Sequence, residues 1–325
     1  MKRIIAIVCG GDSSEHDVSM RSAAGIESFL DKDRYEPYLV EICAGKWEAI
    51  WADGTRAKVD KNDFSFVVGG ETVRPDYCYI TIHGAPGENG ILQGYFDLIG
   101  MPYSTCSVLV EAMTYDKHVL NNYMLGLGVR VAKHLVLQIG HDKEISDEEI
   151  VESIGLPCFV KPASGGSSFG TTKVKTIEAL RPAIEVALKE GEDVMVEAFM
   201  QGTEITCGCY KTKTVSHVFP ITEVVTENEF FDYDAKYNGQ VDEITPARIS
   251  AKLTSEVQAL TSRLYDLLGC HGIIRIDYII TEGDVINLLE INTTPGMTAT
   301  SFIPQQVRAA GLDIKEVMTD IIEDR

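Results

Sequence analysis

The feature that most constrains the fold lies near the C-terminus, where residues 275–301 read RIDYIITEGDVINLLEINTTPGMTATS. Two runs rich in Ile, Leu and Val, residues 273–280 and 285–291, flank a turn at Glu282-Gly283-Asp284, the pattern of two strands joined as a hairpin. Arg275, Asp277, Glu290 and Asn292 sit inside or at the end of these apolar runs. Strand side chains alternate between faces, so Arg275 shares a face with Asp277, and Glu290 with Asn292. If the runs pair, the two carboxylates and the amide converge across the ladder. A lone buried carboxylate costs more than a hairpin gains, so the cluster calls for a cation. Mg²⁺ takes oxygen ligands and keeps positions open for phosphate oxygens, which points to a nucleotide. A sheet with one solvated face, carrying the same residues as surface charges, is the competing account of this stretch alone.

The rest of the chain sets the surroundings. Its 325 residues, 45% of them hydrophobic, are enough for two or three units with real cores. No apolar run reaches bilayer length, and the N-terminal apolar stretch is too short for a secretion signal, so no membrane insertion is expected. Eight cysteines scattered through apolar, strand-like contexts, with no C-x-x-C, suit a reduced cytoplasm. Cys207-Gly-Cys209 reads as one face of a strand rather than a metal pair. A formal charge of −20, from 49 acidic and 29 basic residues, argues against nucleic acid or an anionic membrane as partner. An anionic substrate would therefore need a local basic pocket.

Strand and helix patterns alternate through the first third: strand 4–8, helix 18–30, strand 77–82 and helix 91–99. Such alternation implies a parallel sheet with flanking helices. A second unit begins near residue 106, with a helix over 116–125 that Asp116 can cap. It continues through strand 158–161, a glycine-rich connection, strand 171–174, a helix over 177–189 and strand 194–197. The last part is strand-rich, with 204–210, 214–220, the hairpin and a helix over 255–268. The expected division is 1–105, 106–196 and 197–325.

Several stretches carry chemistry. Residues 160–175, VKPASGGSSFGTTKVK, form a strand, a Gly-Ser loop and a second strand, where backbone N–H groups can wrap phosphate oxygens. A plain hairpin loop explains it as well, and Lys161 and Lys173 tip the balance towards phosphate. It is not a P-loop, because no G-K-[ST] follows. Glu197 ends a strand before Phe199-Met200, a setting for an adenine amino group and its ring, with Glu204 placed for ribose hydroxyls. A strand, a turn and a strand account for those residues equally. Residues 222–229, TEVVTENE, read as a long connection into FFDYDAKYNG, which is composed like a lid. From it Lys236 can reach a terminal phosphate and Tyr237 can close over a substrate. Gly10-Gly11 leads from strand to helix without the G-x-G-x-x-G fingerprint, which disfavours a dinucleotide oxidoreductase. Glu15 at that helix entrance can instead hold an ammonium group. His83, in the glycine-rich turn at 82–90, reads by itself as a loop histidine.

Taken in order, G-G-D-S-S-E-H-D-V-S, H-G-A-P-G-E-N-G-I-L-Q-G, Y-D-K, V-K-P-A-S-G-G-S-S-F-G, F-F-D-Y-D-A-K-Y, R-I-D-Y and E-I-N-T-T-P-G-M-T resemble the D-alanine–D-alanine ligases of the ATP-grasp superfamily across nearly the whole chain. The resemblance implies an α/β chain, an ATP-grasp fold preceded by a Rossmann-like parallel α/β domain. It implies a homodimer that uses ATP, D-alanine and Mg²⁺, with Mn²⁺ as the alternative ion. By similarity, Glu15 anchors the ammonium of the first D-alanine with His83 nearby, and Ser167 and Tyr237 join Glu15 to shut the site. Lys117, Lys161 and Lys236 hold phosphates. Ser168, Glu197, Phe199, Met200, Glu204, Phe230 and Leu289 complete the nucleotide site. Asp277, Glu290 and Asn292 hold the metal, Arg275 and the Gly296 amide stabilise a tetrahedral oxyanion, and Ser301 and Phe302 meet the second substrate. Phe169, Asn89 and Phe302 depart from the usual residues, and Phe302 bears on the acceptor. D-serine or D-lactate is the alternative acceptor, and Tyr237 favours an amino acid over D-lactate. A nucleotide-binding regulator without catalysis is the reading from another class.

Overall fold

The computed structural model describes residues 2–138, 145–166, 169–226 and 241–324. The first sheet is built from β1 (Arg3–Gly10), β2 (Tyr35–Cys43), β3 (Lys46–Ile50), β4 (Arg56–Lys58) and β7 (Tyr77–Ile80), in the order β4-β3-β2-β1-β7. A small hairpin of β5 (Phe66–Val68) and β6 (Glu71–Val73) stands apart from it. β1 pairs in parallel with β2 and β7, as the alternation predicts. At one edge the sheet is extended by β3 and β4, which are antiparallel. Their short, half-exposed residues give little of the continuous apolar signal of a central parallel strand. β1 is buried from Ile5 to Gly10, and helices α1 (His16–Phe29) and α2 (Ile91–Ile99) accompany this sheet.

Two helices follow. α3 (Val108–Tyr115) is an element the sequence reading left out, and α4 (Lys117–Gly126) begins where expected. Asp116 caps α4, its carboxylate accepting from the backbone N–H groups of His118 and Val119 at 3.0 Å each. Cys106, Val110, Leu120 and Met124 pack with Ile205, Ile276 and Tyr278, so these helices line the core of the last sheet. A second, antiparallel sheet has the order β10-β9-β11-β8, from β8 (His134–Gln138), β9 (Cys158–Pro162), β10 (Thr172–Val174) and β11 (Asp193–Ala198). α5 (Asp147–Ile154) and α6 (Leu180–Ala187) contribute Ile150, Leu180 and Ile184 to its core.

The third sheet runs β15-β14-β12-β16-β17, with β13 (Ser216–Val218) on the side of β12 (Gly202–Lys211). β14 (Thr222–Thr226) occupies the start of the stretch read as a connection, a correction: its Val-Val centre pairs between β12 and β15 (Val241–Ile244). β16 (Ile273–Thr281) and β17 (Val285–Asn292) form the hairpin expected from residues 273–291. α7 (Ala251–Leu268), capped by Ser250, covers the sheet, and α8 (Phe302–Ala309) and α9 (Ile314–Glu323) end the chain. Ile303, Val307 and Ile322 share one apolar cluster with Ile5, Ile7 and Ile26, which locks the C-terminal helices to the first sheet. Each such side chain contributes about 1.5–3 kcal/mol on burial.

Candidate active site

The hairpin register sets the centre of the site. Asp277 lies opposite Glu290 and Arg275 opposite Asn292, so all four side chains meet on one face. A bulge between Asp277 and Tyr278 puts Tyr278 opposite Leu288, leaving Leu289 as the surplus residue. Two consecutive side chains, Leu289 and Glu290, thereby reach the same cavity, which plain alternation forbids. Arg275 forks onto Asp277, Nε donating to Oδ1 at 2.9 Å and Nη2 to Oδ2 at 2.8 Å. Burial opposes the charge on Arg275, but the Asp277 carboxylate outweighs it and holds the guanidinium pKa above its usual value. The sequence puzzle is therefore answered first by an internal ion pair. Asn292 Nδ2 donates to Asp277 Oδ2 at 3.2 Å and to Glu290 Oε1 at 3.4 Å. Turning that amide over presents its oxygen beside two carboxylate groups, a donor set that fits a hard divalent cation.

Two cavities meet at Glu290. The larger, about 430 Å³, is lined by Lys117, Lys161, Glu197, Phe199, Met200, Glu204 and Leu289, together with Asp277. Lys161 Nζ donates to Glu197 Oε1 at 2.5 Å, a buried pair between neighbouring strands β9 and β11. Lys117 Nζ donates to the Gly165 carbonyl at 2.5 Å, and its backbone N–H to the Ala163 carbonyl, tying α4 to the Gly-Ser loop. Burial, then the nearby Lys161 charge, pulls the Lys117 pKa down against Glu290, Glu197 and Glu15. Lys173, read beside the phosphate loop, stands with Nζ 3.8 Å from the centre of the Phe199 ring. Phe159 and Phe199 pack at 5.9 Å between centroids, so this end of the cavity is flat, aromatic and apolar.

The second cavity, about 410 Å³, brings together Glu15, His83, Arg275, Asn292, Gly296, Ser301 and Phe302. Glu15 is buried at the N-terminus of α1. The Gly-Ser loop passes so close that a Cβ at Gly166 would lie 2.5 Å from Glu15 Oε2, a reason for glycine at that position. His83 stands 3.3 Å from Ser22 Oγ, and the same hydroxyl accepts from the Met297 backbone N–H at 3.3 Å. Burial, then the Arg275 charge, keeps the imidazole pKa below its usual value despite Glu15. Ser301 Oγ stands 2.8 Å from Thr298 Oγ1 and accepts from the Thr298 backbone N–H at 3.1 Å. The Phe302 ring lies 5.3 Å from the Arg275 guanidinium. Ser167, Ser168, Phe230, Lys236 and Tyr237 lie outside the described residues.

Three carboxylates escaped the sequence reading. Glu88, in the quoted H-G-A-P-G-E-N-G stretch, accepts from the Gly84 N–H at 2.7 Å, and burial, then the Glu15 charge, pushes its pKa up to about 8. Its place in a glycine-rich turn beside His83 was the available signal. Glu111 on α3 is fully buried, accepting from the Cys106 N–H at 2.8 Å and from Thr293 Oγ1 at 2.5 Å. Burial holds its pKa well above the usual carboxyl value. Glu243 on β15 lines the second cavity beside Ser301 and Phe302. Nothing in the local sequence marks either of these two.

With this geometry in place, the relatives are informative. A model of the D-ala D-ala ligase C-terminus matches residues 124–323, and one of the N-terminus matches residues 4–106. The chain belongs to the D-ala D-ala ligase family. It is 67% identical over 325 residues to the D-alanine–D-alanine ligase of Bacteroides fragilis, covering all of both chains. Among solved structures it resembles the VanG D-Ala:D-Ser ligase of Enterococcus faecalis (TM-score 0.87, 28% identity, 99% of each chain). It also resembles D-alanyl-alanine synthetase A of Vibrio cholerae (TM-score 0.88, 27% identity, 99% of this chain and 98% of that one). The expected fold, ATP-grasp preceded by a Rossmann-like domain, is that of this family.

Proposed function

We propose that the chain is an ATP-dependent, ADP-forming ligase that joins two D-alanines into D-alanyl-D-alanine for peptidoglycan precursor synthesis. Full-length identity of 67% to a ligase of that name supports the activity. The observation that carries it in the structure is the meeting at Glu290 of an aromatic-ended cavity with a carboxylate- and arginine-lined one. In this proposal the carboxylate of the first D-alanine attacks the γ-phosphate of ATP, ADP leaves, and an acyl phosphate remains. The amine of the second D-alanine attacks the acyl carbon, and phosphate departs as the peptide bond forms.

Glu15 holds the ammonium of the first D-alanine, with His83 and Glu88 beside it. Lys117 and Lys161 neutralise phosphate, and Phe199, Met200, Glu197 and Glu204 take adenine and ribose, with Leu289 under the ring. The residues outside the described set keep their expected roles, Ser168, Lys236 and Phe230 towards ATP, and Ser167 and Tyr237 in closure over Glu15. Asp277, Glu290 and Asn292 would hold magnesium, or manganese, which when bound supplies charge neutralisation to the phosphates. Arg275, oriented by Asp277, and the Gly296 N–H face the carbonyl oxygen as it gains charge. Ser301 receives the acceptor carboxylate. Exclusion of water protects the acyl phosphate, so the protein contributes position and charge rather than covalent chemistry.

Three units at 1–105, 106–196 and 197–325, a homodimer and a cytoplasmic location complete the proposal. Ile91, Leu98 and Leu109 are exposed on the neighbouring helices α2 and α3, which supports a dimer face there. D-serine or D-lactate as acceptor is the second reading, kept open by the aromatic Phe302 lining the cavity beside Ser301. The deciding experiment incubates the protein with ATP, Mg²⁺ and D-alanine and reads phosphate release together with product mass. Parallel tubes carry L-alanine, or D-alanine with D-serine or D-lactate. Dipeptide from D-alanine matched by phosphate, with nothing from L-alanine, is expected. No product in any tube would refute the ligase reading.

A further inference from the structure

Glu243 has no part in the steps above, yet it stands in the second cavity with Arg275, Thr300, Ser301 and Phe302. β15 presents it from the edge of the third sheet, opposite Val224 of β14. Gln305 on α8 donates Nε2 both to Glu243 Oε2 and to the Thr300 carbonyl, the latter at 2.7 Å. The carboxylate is thus held from the sheet and from the helix that carries the acceptor pocket. Its other oxygen, Oε1, takes no hydrogen bond among the described residues, and no lysine or arginine of that set lies within ion-pair distance. The nearest cation that bears on it is Arg275, already forked onto Asp277 and covered by the Phe302 ring.

A half-buried carboxylate fixed in place, with one oxygen unbonded among the described residues, wants a compact cation with N–H donors. Glu15 lines the same cavity beside His83 and the Gly-Ser loop, and serves the first amino acid. We propose that Glu243 is the partner for the ammonium of the second amino acid, and that it selects amine-bearing acceptors over hydroxy acids. This rests on the ligase reading. The amino acid approaches as the ammonium form, is held between Ser301 and Glu243, and passes one proton to the Glu243 carboxylate before the neutral amine attacks. A hydroxy acid offers the same carboxylate to Ser301 but no positive charge to Glu243. It therefore forgoes that contact.

The test is Glu243→Gln, which keeps an oxygen for Gln305 and removes only the charge, read beside Glu243→Ala, which removes both. The two D-alanine constants are resolved from the velocity curve, with the ATP constant measured alongside. A charged hydrogen bond exchanged for a neutral one is worth about a factor of ten in binding. Glu243→Gln is expected to raise the KM for the second D-alanine about tenfold while the first-site and ATP constants stay within about twofold. In mixtures of D-alanine and D-lactate, the depsipeptide fraction should rise in the variant. An unchanged second-site KM in Glu243→Gln, with loss only in Glu243→Ala, would reduce Glu243 to a tether for α8 and overturn the proposal. So would an equal rise in all three constants. A wild-type protein that makes no dipeptide would refute the ligase reading itself, a separate outcome.

Discussion

Gly25 sits in α1, where the helix crosses the chain at Met297, next to Gly296. Replacing a helical glycine by alanine ordinarily stabilises a protein by about 1 kcal/mol. Here the new Cβ would stand 2.2 Å from the Met297 carbonyl oxygen and 3.1 Å from its carbon. Ordinary contact begins at 3.4 Å, so helix and loop must separate by a shift on the order of 1 Å. Both sides are backbone, and Met297 is nearly fully buried, so no flexible side chain absorbs the shift. Overpacking of this kind costs about 1–3 kcal/mol, and weakening the Met297-to-Ser22 hydrogen bond adds about 1 kcal/mol. Gly25→Ala is thus expected to be destabilised by about 1–3 kcal/mol net of the helix gain. A displacement on this scale next to the Gly296 amide also lowers kcat by about 10²-fold. Gly94 in α2 is the control, because its Cβ would meet only Val108 Cγ2, at 3.8 Å. Gly94→Ala should gain about 0.5–1 kcal/mol with unchanged turnover. Urea unfolding and steady-state rates of the two variants decide the matter. A Gly25→Ala protein as stable and as active as Gly94→Ala would show that the crossing yields freely, and the reasoning fails.

The Lys161–Glu197 pair gives a second test. Lys161→Met alone should cost about 3–5 kcal/mol by stranding Glu197, whereas Lys161→Met with Glu197→Leu should recover most of that stability in urea without recovering activity. Asp277→Asn removes one half of the Arg275 fork and should cost about 3 kcal/mol in unfolding. The Mg²⁺ concentration for half-maximal rate should also rise, and an unaltered titration would contradict the ligand assignment. Glu111 gives a pH test. Its carboxyl pKa is raised by burial, so its contribution to stability is complete below the ordinary carboxyl range and is lost as pH rises towards the folded value. The urea midpoint of Glu111→Gln relative to wild type should therefore climb as pH rises above the ordinary carboxyl range. A flat difference would mean that Glu111 ionises normally.

The hairpin was legible because two apolar runs of strand length flank a turn, and its charged interruptions stood out against that background. The cap at Asp116 and the helix from Ile91 were legible for similar local reasons. The bulge was not: in Leu288-Leu289-Glu290 either leucine can face the core, and only the paired strand decides which is surplus. β3 and β4 are short edge strands with polar faces, and β14 was hidden by acidic neighbours. Glu111 reads as a surface glutamate on an amphipathic helix, because its partner Thr293 is 182 positions away. Glu243 gains its meaning from Gln305 on a helix 62 positions later. Long-range partners of this kind leave no trace in a single local window.

The surplus residue at Leu289 has a mechanical consequence. A regular two-stranded ladder can slide by two residues and still keep every side chain on its proper face. A kinked one cannot, because the kink would have to travel with the slip and would arrive beneath different neighbours. Leu289 therefore works as a detent: it fixes the strands at the one setting where Asp277 stands across from Glu290. Deleting it would leave a regular ladder with Asp277 still across from Glu290, but with nothing to stop a slip of two residues.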